Sequence, residues 1–243
     1  MSEHLLGVDI GGSGMKAALV DLEAGNLAGN RRRIPTPRPA VPEAMADVFA
    51  QLREYFSYEG PIGCTFPGVI QQSAIVRTAA NLDPSWVGVA AATLFSSDRA
   101  PVTLVNDADA AGLAEMRHGA GKGVDGTVVI ITIGTGLGTA VFTDGHLVRN
   151  TELGHIEIDG VDAETRASGR VIDEGLSFRE WAPRFDRYLE TIRQLLWPDL
   201  VILGGGVSKE FDRWSELLSV DVPLVPAQLR NHAGIVGAAM ILE

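Results

Sequence analysis

Cysteine, positive charge and long apolar runs are all scarce in this chain of 243 residues. A single cysteine, Cys64, excludes an internal disulfide framework and a zinc site built from several cysteines. No apolar run approaches the ~20 residues of a membrane-spanning helix. No charged segment precedes an apolar stretch at the start, so we expect no signal peptide and a cytoplasmic location. The formal net charge of −11 argues against a general nucleic-acid binder.

The chain has three lysines, and each lies in or beside a glycine-rich segment: Lys16, Lys122 and Lys209. Flexible ammonium groups at such turns are suited to holding phosphate. The alternative is that a chain biased towards arginine carries its few lysines at positions set by chance. The pattern by itself leaves both interpretations open.

Glycine-rich turns between apolar strands are abundant instead, and one such pattern occurs twice. LLGVDIGGSGMKAALV begins at residue 5, and VVIITIGTGLGTAVFTDG begins at residue 128. Glycine lets the backbone turn tightly and leaves its N–H groups open to phosphate. Two such hairpins predict two related lobes that each present a phosphate-binding turn to a shared cleft, as in a phosphotransferase.

Strands and helices alternate along the rest of the chain, which indicates an α/β architecture. Short strands are predicted at 62–66, 102–105 and 200–203. Helices are predicted from Pro42, over 108–118 and 177–197, from Ser208 with that serine as N-cap, and from about 233. Because no low-complexity linker separates the lobes, we place their boundary near 106. The expected lobes are 1–106 and 107–232, and the last helix, 233–243, is expected to pack back on the first lobe.

The acidic segment VNDADAAGLAE offers a candidate catalytic base. Asp107 is predicted where a strand ends and a helix begins, an edge at which α/β folds place their sites. A carboxylate there can accept the proton of an attacking hydroxyl in phosphoryl transfer. The competing interpretation is that Asp107 or Asp109 only caps the helix, but the glycine turns favour the base.

Three glycine-rich turns are candidates for binding the phosphate donor. Asp9 in the first either holds a Mg²⁺-bound water or braces the turn. The second turn contains a GxGxG string at Gly134, Gly136 and Gly138. By itself this string is weak evidence for nucleotide binding, because a strand and not the long helix of a Rossmann motif follows it. The third turn, Gly204 to Gly206, either faces a phosphate or simply leads into a helix. The candidate donor-binding residues are Asp9, Gly11, Gly12, Ser13, Gly14, Lys16, Gly134, Thr135, Gly136, Gly138, Gly204, Gly205, Gly206 and Lys209.

The segment NTELGHIEIDG places a carboxylate and an imidazole on either side of a glycine. Glu152 and His155 at this spacing can present hydrogen-bonding groups to sugar hydroxyls. His155 could instead be a metal ligand or an ordinary buried histidine. A metal site lacks ligands in a chain with one cysteine.

Several segments, in order along nearly the whole chain, resemble the sugar kinases of the ROK family (repressor, open reading frame, kinase). They are LGVDIGGSGMK, TFPGVI, NLDPSW, VNDADAAGLAE, IGTGLGTA, ELGH, ETRASG and LGGGVSK. The family belongs to the actin–hexokinase superfamily, so the resemblance implies an α/β, two-lobed, actin–hexokinase-like (ribonuclease H-like) fold with a central cleft. Four segments look closer to the polyphosphate-using glucokinases and glucomannokinases of the family: RTAANLDPSW, VNDADAAGLAE, NTELGHIEIDG and LRNHAGIVGAA.

The resemblance implies a role for each matching position. Asp107 corresponds to the base that deprotonates the sugar 6-hydroxyl. The first and second glycine turns correspond to phosphate loops, and the third to the adenosine side of ATP-using members. The implied sugar-binding residues are Pro67, Gly68, Asn81, Asn106, Glu152, His155 and Glu164.

One departure from the family pattern concerns zinc. Most bacterial members carry a cysteine-rich zinc loop between the histidine and the glutamate that here are His155 and Glu164. In this chain the interval is IEIDGVDA, without cysteine. We therefore expect no structural zinc, a direct sugar contact from His155, and a loop ordered by packing alone. The polyphosphate-using branch is expected to share this departure.

The resemblance implies transfer of a phosphoryl group from inorganic polyphosphate, and from ATP, to the 6-hydroxyl of glucose, with mannose as a second acceptor. Mg²⁺ is the implied cofactor and a homodimer the implied assembly, with neither nucleic acid nor membrane as partner. An ATP-only hexose kinase would share every motif. A sugar-sensing repressor would carry DNA-binding helices before the first strand, and an actin-like filament protein would not need the sugar motifs.

A long polyanion needs more cations than a single triphosphate pocket supplies. Lys16, Lys122 and Lys209 are the candidates for such a track, followed by Arg77 and the 31–33 arginine triplet. For the triplet we favour a solvated strand edge.

Overall fold

The computed structural model describes residues 4–72 and 74–243. They form two compact units, and each contains its own sheet and its own apolar core. The first unit comprises Met1–Ala114 and His232–Glu243, and the second comprises Glu115–Asn231.

The first unit contains the first glycine hairpin. Its strands are β1 (Leu5–Gly11), β2 (Gly14–Asp21), β3 (Asn26–Leu27), β4 (Arg32–Ile34), β5 (Ile62–Phe66), β6 (Ile70–Gln71), β7 (Ile75–Val76) and β8 (Val102–Asn106). Its helices are α1 (Pro42–Tyr55), α2 (Ala91–Phe95), the first two turns of α3 (Asp107–His118), and the C-terminal helix α7 (Ala233–Met240).

The sheet of the first unit has the strand order β3-β2-β1-β5-β8, and β4 also pairs with β2. β1 and β2 are antiparallel around the glycine turn, whereas β1, β5 and β8 run parallel. Parallel strands end at the same edge of a sheet, and sites of open α/β sheets gather at their carboxyl ends. This order brings the ends of β1, β5 and β8 together, with Asp9, Pro67 and Asp107 at or just beyond them.

Helix α7 packs unusually close to this sheet, because glycine stands at the contact points. A methyl group on Gly7 of β1 would overlap the Ile235 carbonyl, and one on Gly63 of β5 would overlap the Ala238 carbonyl. On the helix itself, a methyl group on Gly237 would overlap the Ala110 carbonyl of α3. The C-terminal helix is therefore an integral layer of the first unit.

The second unit contains the second glycine hairpin. Its strands are β9 (Thr127–Ile133), β10 (Leu137–Thr143), β11 (His146–Val148), β12 (Glu157–Ile158), β13 (Val161–Asp162), β14 (Leu200–Gly204) and β15 (Leu224–Pro226). Its helices are α4 (Glu164–Ala167), α5 (Arg170–Asp173) and α6 (Phe178–Leu196).

The sheet of the second unit has the order β11-β10-β9-β14-β15. The pairs β9–β10 and β10–β11 are antiparallel, whereas the pairs β9–β14 and β14–β15 are parallel. The first unit has the same plan, in which an antiparallel three-stranded meander is followed across the sheet by two strands parallel to its first strand. The two related lobes inferred from the repeated hairpin are thus present as two sheets of equivalent topology.

Helix α6 shows why a local sequence pattern can specify an element. Ser177 and Glu180 form a capping box at its start, and Trp197 ends it in the left-handed conformation. Trp181, Phe185 and Tyr188 lie on one face and are buried in the core of the second unit.

Most predicted elements are confirmed, and one is wrong. The helices from Pro42, over 108–118 and over 177–197 are present within a residue of their expected limits. The helix expected from Ser208 is instead a short 3₁₀ segment, Val207–Arg213, kinked at Glu210. Ser208 is not its N-cap, because its hydroxyl donates to the carbonyl of Gly205, three residues earlier.

Among the described residues, no helix is both long enough and apolar enough to span a membrane.

Candidate active site

The first glycine turn is built around the carboxylate of Asp9. Asp9 and Lys16 are direct cross-strand partners in the β1–β2 hairpin, and the Lys16 Nζ lies 2.9 Å from Asp9 Oδ2. The Thr65 hydroxyl donates to Asp9 Oδ1 at 3.0 Å and accepts the Ile10 N–H. Gly234, in the first turn of α7, packs against the same carboxylate. Asp9 therefore has a fixed orientation and a resident counter-cation.

Side chains from the segment after β3 bind the carbonyls of this turn. Thr36 donates its hydroxyl to Gly11 O, Arg33 donates an Nη2 N–H to Ser13 O at 2.8 Å, and the Arg38 Nη2 lies 3.4 Å from Gly12 O. Arg33 is exposed on the edge strand β4, as the solvated-edge interpretation of the arginine triplet expects, and it also binds the glycine turn. Arg32 instead lies over the ring of Tyr55, because neighbouring residues of a strand point to opposite faces.

Asn106, at the end of β8, connects two candidate sugar-binding elements. Its side chain is buried, and its Nδ2 donates to Gly68 O at 3.1 Å. Its Oδ1 accepts the N–H groups of Ala108 and Asp109 at the start of α3. Asn106 is thus the principal cap of this helix, the role that the capping interpretation assigned to Asp107 or Asp109.

Asp107 is exposed at the first position of α3, and its Oδ1 accepts the N–H of Ala108 at 2.9 Å. Asn81, in the left-handed conformation, lies against Gly12 of the first turn. The Pro67–Gly68 bend is fixed by bonds from Ala80 N to Pro67 O and from Val69 N to the Thr78 hydroxyl. The first unit therefore contains a candidate base, a glycine turn and four of the candidate sugar contacts, Pro67, Gly68, Asn81 and Asn106.

In the second unit, the second and third glycine turns are neighbours. Gly204 is the parallel partner of Thr132, and Gly205 (φ 83°) packs against the backbone of Ile133. The Gly134 carbonyl accepts the N–H of Gly169. Both turns follow parallel strands at one sheet edge, which is the place that favours phosphate-binding loops.

The Glu164 carboxylate lies between the second glycine turn and His155 of the ELGH segment. Its Oε2 accepts the Leu137 N–H at 2.9 Å and lies 4.0 Å from the Nε2 of His155. A methyl group on Gly136 would overlap this carboxylate. Glycine at 136 is thus required for close approach, and Glu164 faces both elements.

The ELGH segment is held against β10 by threonine hydroxyls. Thr139 donates to Thr151 O at 2.6 Å and accepts the Leu153 N–H at 3.0 Å, and Thr151 donates in return to Thr139 O. A methyl group on Gly154 would overlap the Leu137 carbonyl. These contacts fix the backbone on both sides of Glu152.

Asp162 orients both His155 and Glu164. Its Oδ2 lies 2.9 Å from the Nδ1 of His155, and its Oδ1 accepts the Glu164 N–H at 2.8 Å. The Asp162 backbone carbonyl also accepts the Thr165 hydroxyl. The expectation that packing alone orders the loop before Glu164 is therefore wrong, because β12, β13 and the Asp162 carboxylate hold it by hydrogen bonds.

The carboxylates around His155 raise its pKa above the ordinary value. The hydrogen bond to Asp162 is the largest cause, and the charges of Glu164, Asp162 and Glu152 act in the same direction against partial desolvation. Desolvation by surrounding protein atoms raises the pKa of Glu152, an effect that nearby His155 opposes and Glu164 reinforces. These contacts thus favour the charged imidazolium of His155 relative to that of an isolated histidine.

Sequence reasoning missed several residues that support the site. Asp162 stands two residues before Glu164, a spacing at which an aspartate often binds the backbone ahead of it. Glu115, almost fully buried, accepts the N–H groups of Ala120, Gln228 and Leu229 and so anchors the end of α3 within the second unit. No local pattern pairs Glu115 with residues more than a hundred positions away.

The remaining lysine candidates, Lys122 and Lys209, are exposed in the second unit, and Lys209 lies just beyond the third glycine turn. No group of three or more His, Cys, Asp or Glu side chains with metal-site geometry occurs among the described residues.

Comparisons with known proteins identify the family of this chain. The ROK family profile matches residues 5–175. A polyphosphate glucokinase of Mycobacterium tuberculosis (strain CDC 1551 / Oshkosh) is 48% identical over 240 residues, which cover 98% of this chain and 90% of that protein. A glucokinase of Streptomyces coelicolor is 29% identical over 96% of each chain.

Solved structures show the same fold. The inorganic polyphosphate/ATP-glucomannokinase of Arthrobacter sp. strain KM superposes with a TM-score of 0.94 at 48% identity, covering 98% of both chains. A ROK family glucokinase from Streptomyces griseus, in complex with glucose and AMPPNP, has a TM-score of 0.81 at 27% identity over 98% of this chain and 99% of that one. The α/β sheets, their glycine hairpins and these matches agree on an actin–hexokinase-type fold, and the chain belongs to the ROK family.

Proposed function

We propose that this protein is a polyphosphate-dependent glucokinase, which transfers a phosphoryl group from inorganic polyphosphate, and also from ATP, to the 6-hydroxyl of glucose. The observation that carries the proposal is the position of Glu164. Its carboxylate binds the second glycine turn and faces His155, so a phosphate-binding and a hydroxyl-binding element meet within one unit.

The relatives support both donor and acceptor. Proteins 48% identical to this chain include polyphosphate glucokinases and a polyphosphate/ATP-glucomannokinase. Because the latter is a glucomannokinase, we include mannose as a second acceptor. An ATP-only hexose kinase is the main competing function, and it is distinguished only by the choice of donor.

The proposed mechanism is in-line attack by the sugar 6-hydroxyl on the terminal phosphorus of the donor. Asp107 accepts the hydroxyl proton as the O–P bond forms and the bond to the leaving phosphate breaks. Asn106 fixes Asp107 by capping the helix that carries it. The residues that the family resemblance assigns to the sugar hydroxyls are Glu152, His155 and Glu164 in the second unit and Pro67, Gly68, Asn81 and Asn106 in the first. Backbone N–H groups of the glycine turns stabilise the charge that develops on the phosphates.

The residues at the first turn fit a Mg²⁺ ion that is held mainly by the donor. Mg²⁺ usually keeps several waters and binds through one or two carboxylates together with substrate phosphates. Asp9 supplies one such carboxylate, and both of its oxygens already have defined partners in Lys16 and Thr65, so contact through a water is the better fit. When bound, the ion would neutralise phosphate charge in the transition state.

A coupled assay of glucose 6-phosphate formation tests the donor. Purified protein with Mg²⁺ and glucose should turn over with long-chain polyphosphate and with ATP. Turnover with ATP alone would replace the proposal by the ATP-only kinase.

The Asp107→Asn variant tests the base. It should keep glucose binding while kcat falls by roughly 10²–10⁴-fold. Asp109→Asn on the same helix is less suitable as a control because Asp109 is buried, so exposed Asp125→Asn serves instead. Near-normal turnover in Asp107→Asn would remove Asp107 from this role.

The family resemblance also supports a homodimer in the cytoplasm. Sedimentation equilibrium of the purified protein should give twice the chain mass of 25.8 kDa, and a mass of one chain would exclude the dimer.

A further inference from the structure

The surface beside the first glycine turn carries more positive charge than the turn itself needs. Lys16 and Arg33 are direct partners across the β2–β4 pairing, as Asp9 and Lys16 are across β1–β2. Directly opposite residues in antiparallel strands project from the same face. Asp9, Lys16 and Arg33 therefore form one row across three strands.

The charges in this row do not balance. Asp9 neutralises one positive charge through its contact with Lys16. Arg33 then stands opposite Lys16 as a second cation, and Arg38 adds a third at the same turn. Like charges directly opposite each other destabilise a strand pair, and the whole chain carries a net charge of −11. A local excess of cations here is best explained by an anionic ligand.

Towards the part of the chain that the structure describes, both arginines keep most of their hydrogen-bonding capacity. Each donates one Nη2 N–H to a turn carbonyl, and a guanidinium has five N–H donors in a planar fork. Both residues are exposed. The carbonyl contacts aim the guanidinium groups at the turn, and the remaining donors suit bidentate contacts to phosphate oxygens.

We infer that Arg33 and Arg38 bind phosphate groups of the polyphosphate chain beyond the one that is transferred. This inference rests on the proposed function. A polyphosphate donor continues as phosphates where ATP ends in a nucleoside, so cations outside the triphosphate pocket matter for polyphosphate more than for ATP. Lys16, bound to Asp9, serves both donors at the turn itself.

The experiment compares Arg33→Gln, Arg38→Gln and the control Arg31→Gln, each of which removes one positive charge. Arg31 is exposed just before β4 and lies outside the row. We expect kcat/KM for long-chain polyphosphate to fall about tenfold in the first two variants and less than about threefold for ATP, in keeping with one lost charge-assisted contact. Arg31→Gln should change neither value by more than about twofold.

Salt dependence provides a second readout. The KM for polyphosphate should rise with ionic strength less steeply in Arg33→Gln and Arg38→Gln than in the wild type, because fewer ionic contacts are screened. Arg33→Lys, which retains the charge, should recover part of the lost polyphosphate efficiency. The KM for glucose should stay unchanged throughout.

Two results would overturn the inference. Equal losses with polyphosphate and ATP would mean that the arginines only brace the turn, and equal losses in the Arg31→Gln control would mean a general charge effect. If Arg33→Gln fails to fold, the Arg38→Gln variant tests the inference, because the Arg38 contact to the turn is the longer one and contributes less to holding it. Its kinetics are then combined with equilibrium binding of tripolyphosphate. A wild type that ignores polyphosphate would instead reject the proposed donor, and the inference with it.

Discussion

Single side chains determine how the loop between His155 and Glu164 is held in the second unit. Where most family members are expected to carry a zinc loop, this chain has a two-stranded hairpin whose last residue, Asp162, bonds both His155 and Glu164. The carboxylate orients the imidazole as a metal would, but it also raises the pKa of the ring. One consequence is that the His155 charge becomes sensitive to changes at Asp162.

We predict that Asp162→Asn lowers the pKa of His155 and raises the KM for glucose about tenfold, with a smaller effect on kcat, because the imidazole loses its strongest hydrogen-bond partner. An NMR titration of the His155 ring and glucose kinetics measure the two effects. Asp159→Asn in the turn of the same hairpin is the matched control, since Asp159 pairs with Arg187 instead. An unchanged His155 pKa in Asp162→Asn would contradict the assignment.

The same contact predicts the sign of a pH effect on stability. A histidine whose pKa is higher in the folded than in the unfolded state stabilises the fold below the unfolded pKa of about 6.5, and this contribution is lost as pH rises through the folded pKa. The wild type should therefore lose more stability between pH 6 and pH 8 than Asp162→Asn does. Urea unfolding at both pH values measures the difference, and equal losses would argue against it.

At the scale of elements, glycines in strands and helices set the distance between layers. Gly7, Gly63 and Gly237 allow α7 to contact β1, β5 and α3 through backbone atoms. The sequence shows these glycines, but a glycine inside an apolar run is also compatible with a bulge or a weak strand. Only the packed helix shows that the missing side chain is the requirement.

We predict that Gly63→Ala lowers the free energy of unfolding by about 2–3 kcal/mol, because the added methyl group meets the α7 backbone, which cannot move aside locally. Urea denaturation followed by tryptophan fluorescence measures this. Gly206→Ala is the control, since a methyl group there meets no atom within 4 Å, and its unfolding free energy should change by less than about 0.5 kcal/mol. A neutral Gly63→Ala would contradict the close packing of α7.

At the scale of the whole molecule, the chain repeats one sheet plan in two units, each with a separate apolar core. The candidate base lies in the first unit, and Glu152, His155 and Glu164 lie in the second. A ligand that binds the folded protein stabilises it in proportion to the logarithm of its concentration.

We predict that D-glucose at about 100 times its Kd raises the unfolding free energy by about 2.7 kcal/mol. Differential scanning calorimetry should show an increase in Tm of roughly 5–10 °C for a chain of this size, and Asp107→Asn should show the same increase because the base is not needed for binding. L-glucose is the control. An equal shift with both enantiomers would indicate a non-specific sugar effect.

The sequence by itself determined most of the secondary-structure elements and the family to which the chain belongs. The two glycine hairpins, the caps of α6, the helix that begins at Pro42 and the order of family motifs are local patterns, and local patterns depend only on residues a few positions apart. The prediction of a helix from Ser208 was wrong because it also relied on a local pattern. A serine followed by polar residues resembles an N-cap whether or not a helix follows.

Only the tertiary structure decided which side chains contact one another around the candidate site residues. Thr65 meets Asp9 from a strand 56 positions away, Glu115 binds backbone at 228–229, and Arg33 turns towards the first glycine turn while Arg32 turns away. These contacts follow from strand register and from the distance between layers, which many distant residues set together. A linear pattern contains the residues of such a contact but not their partners.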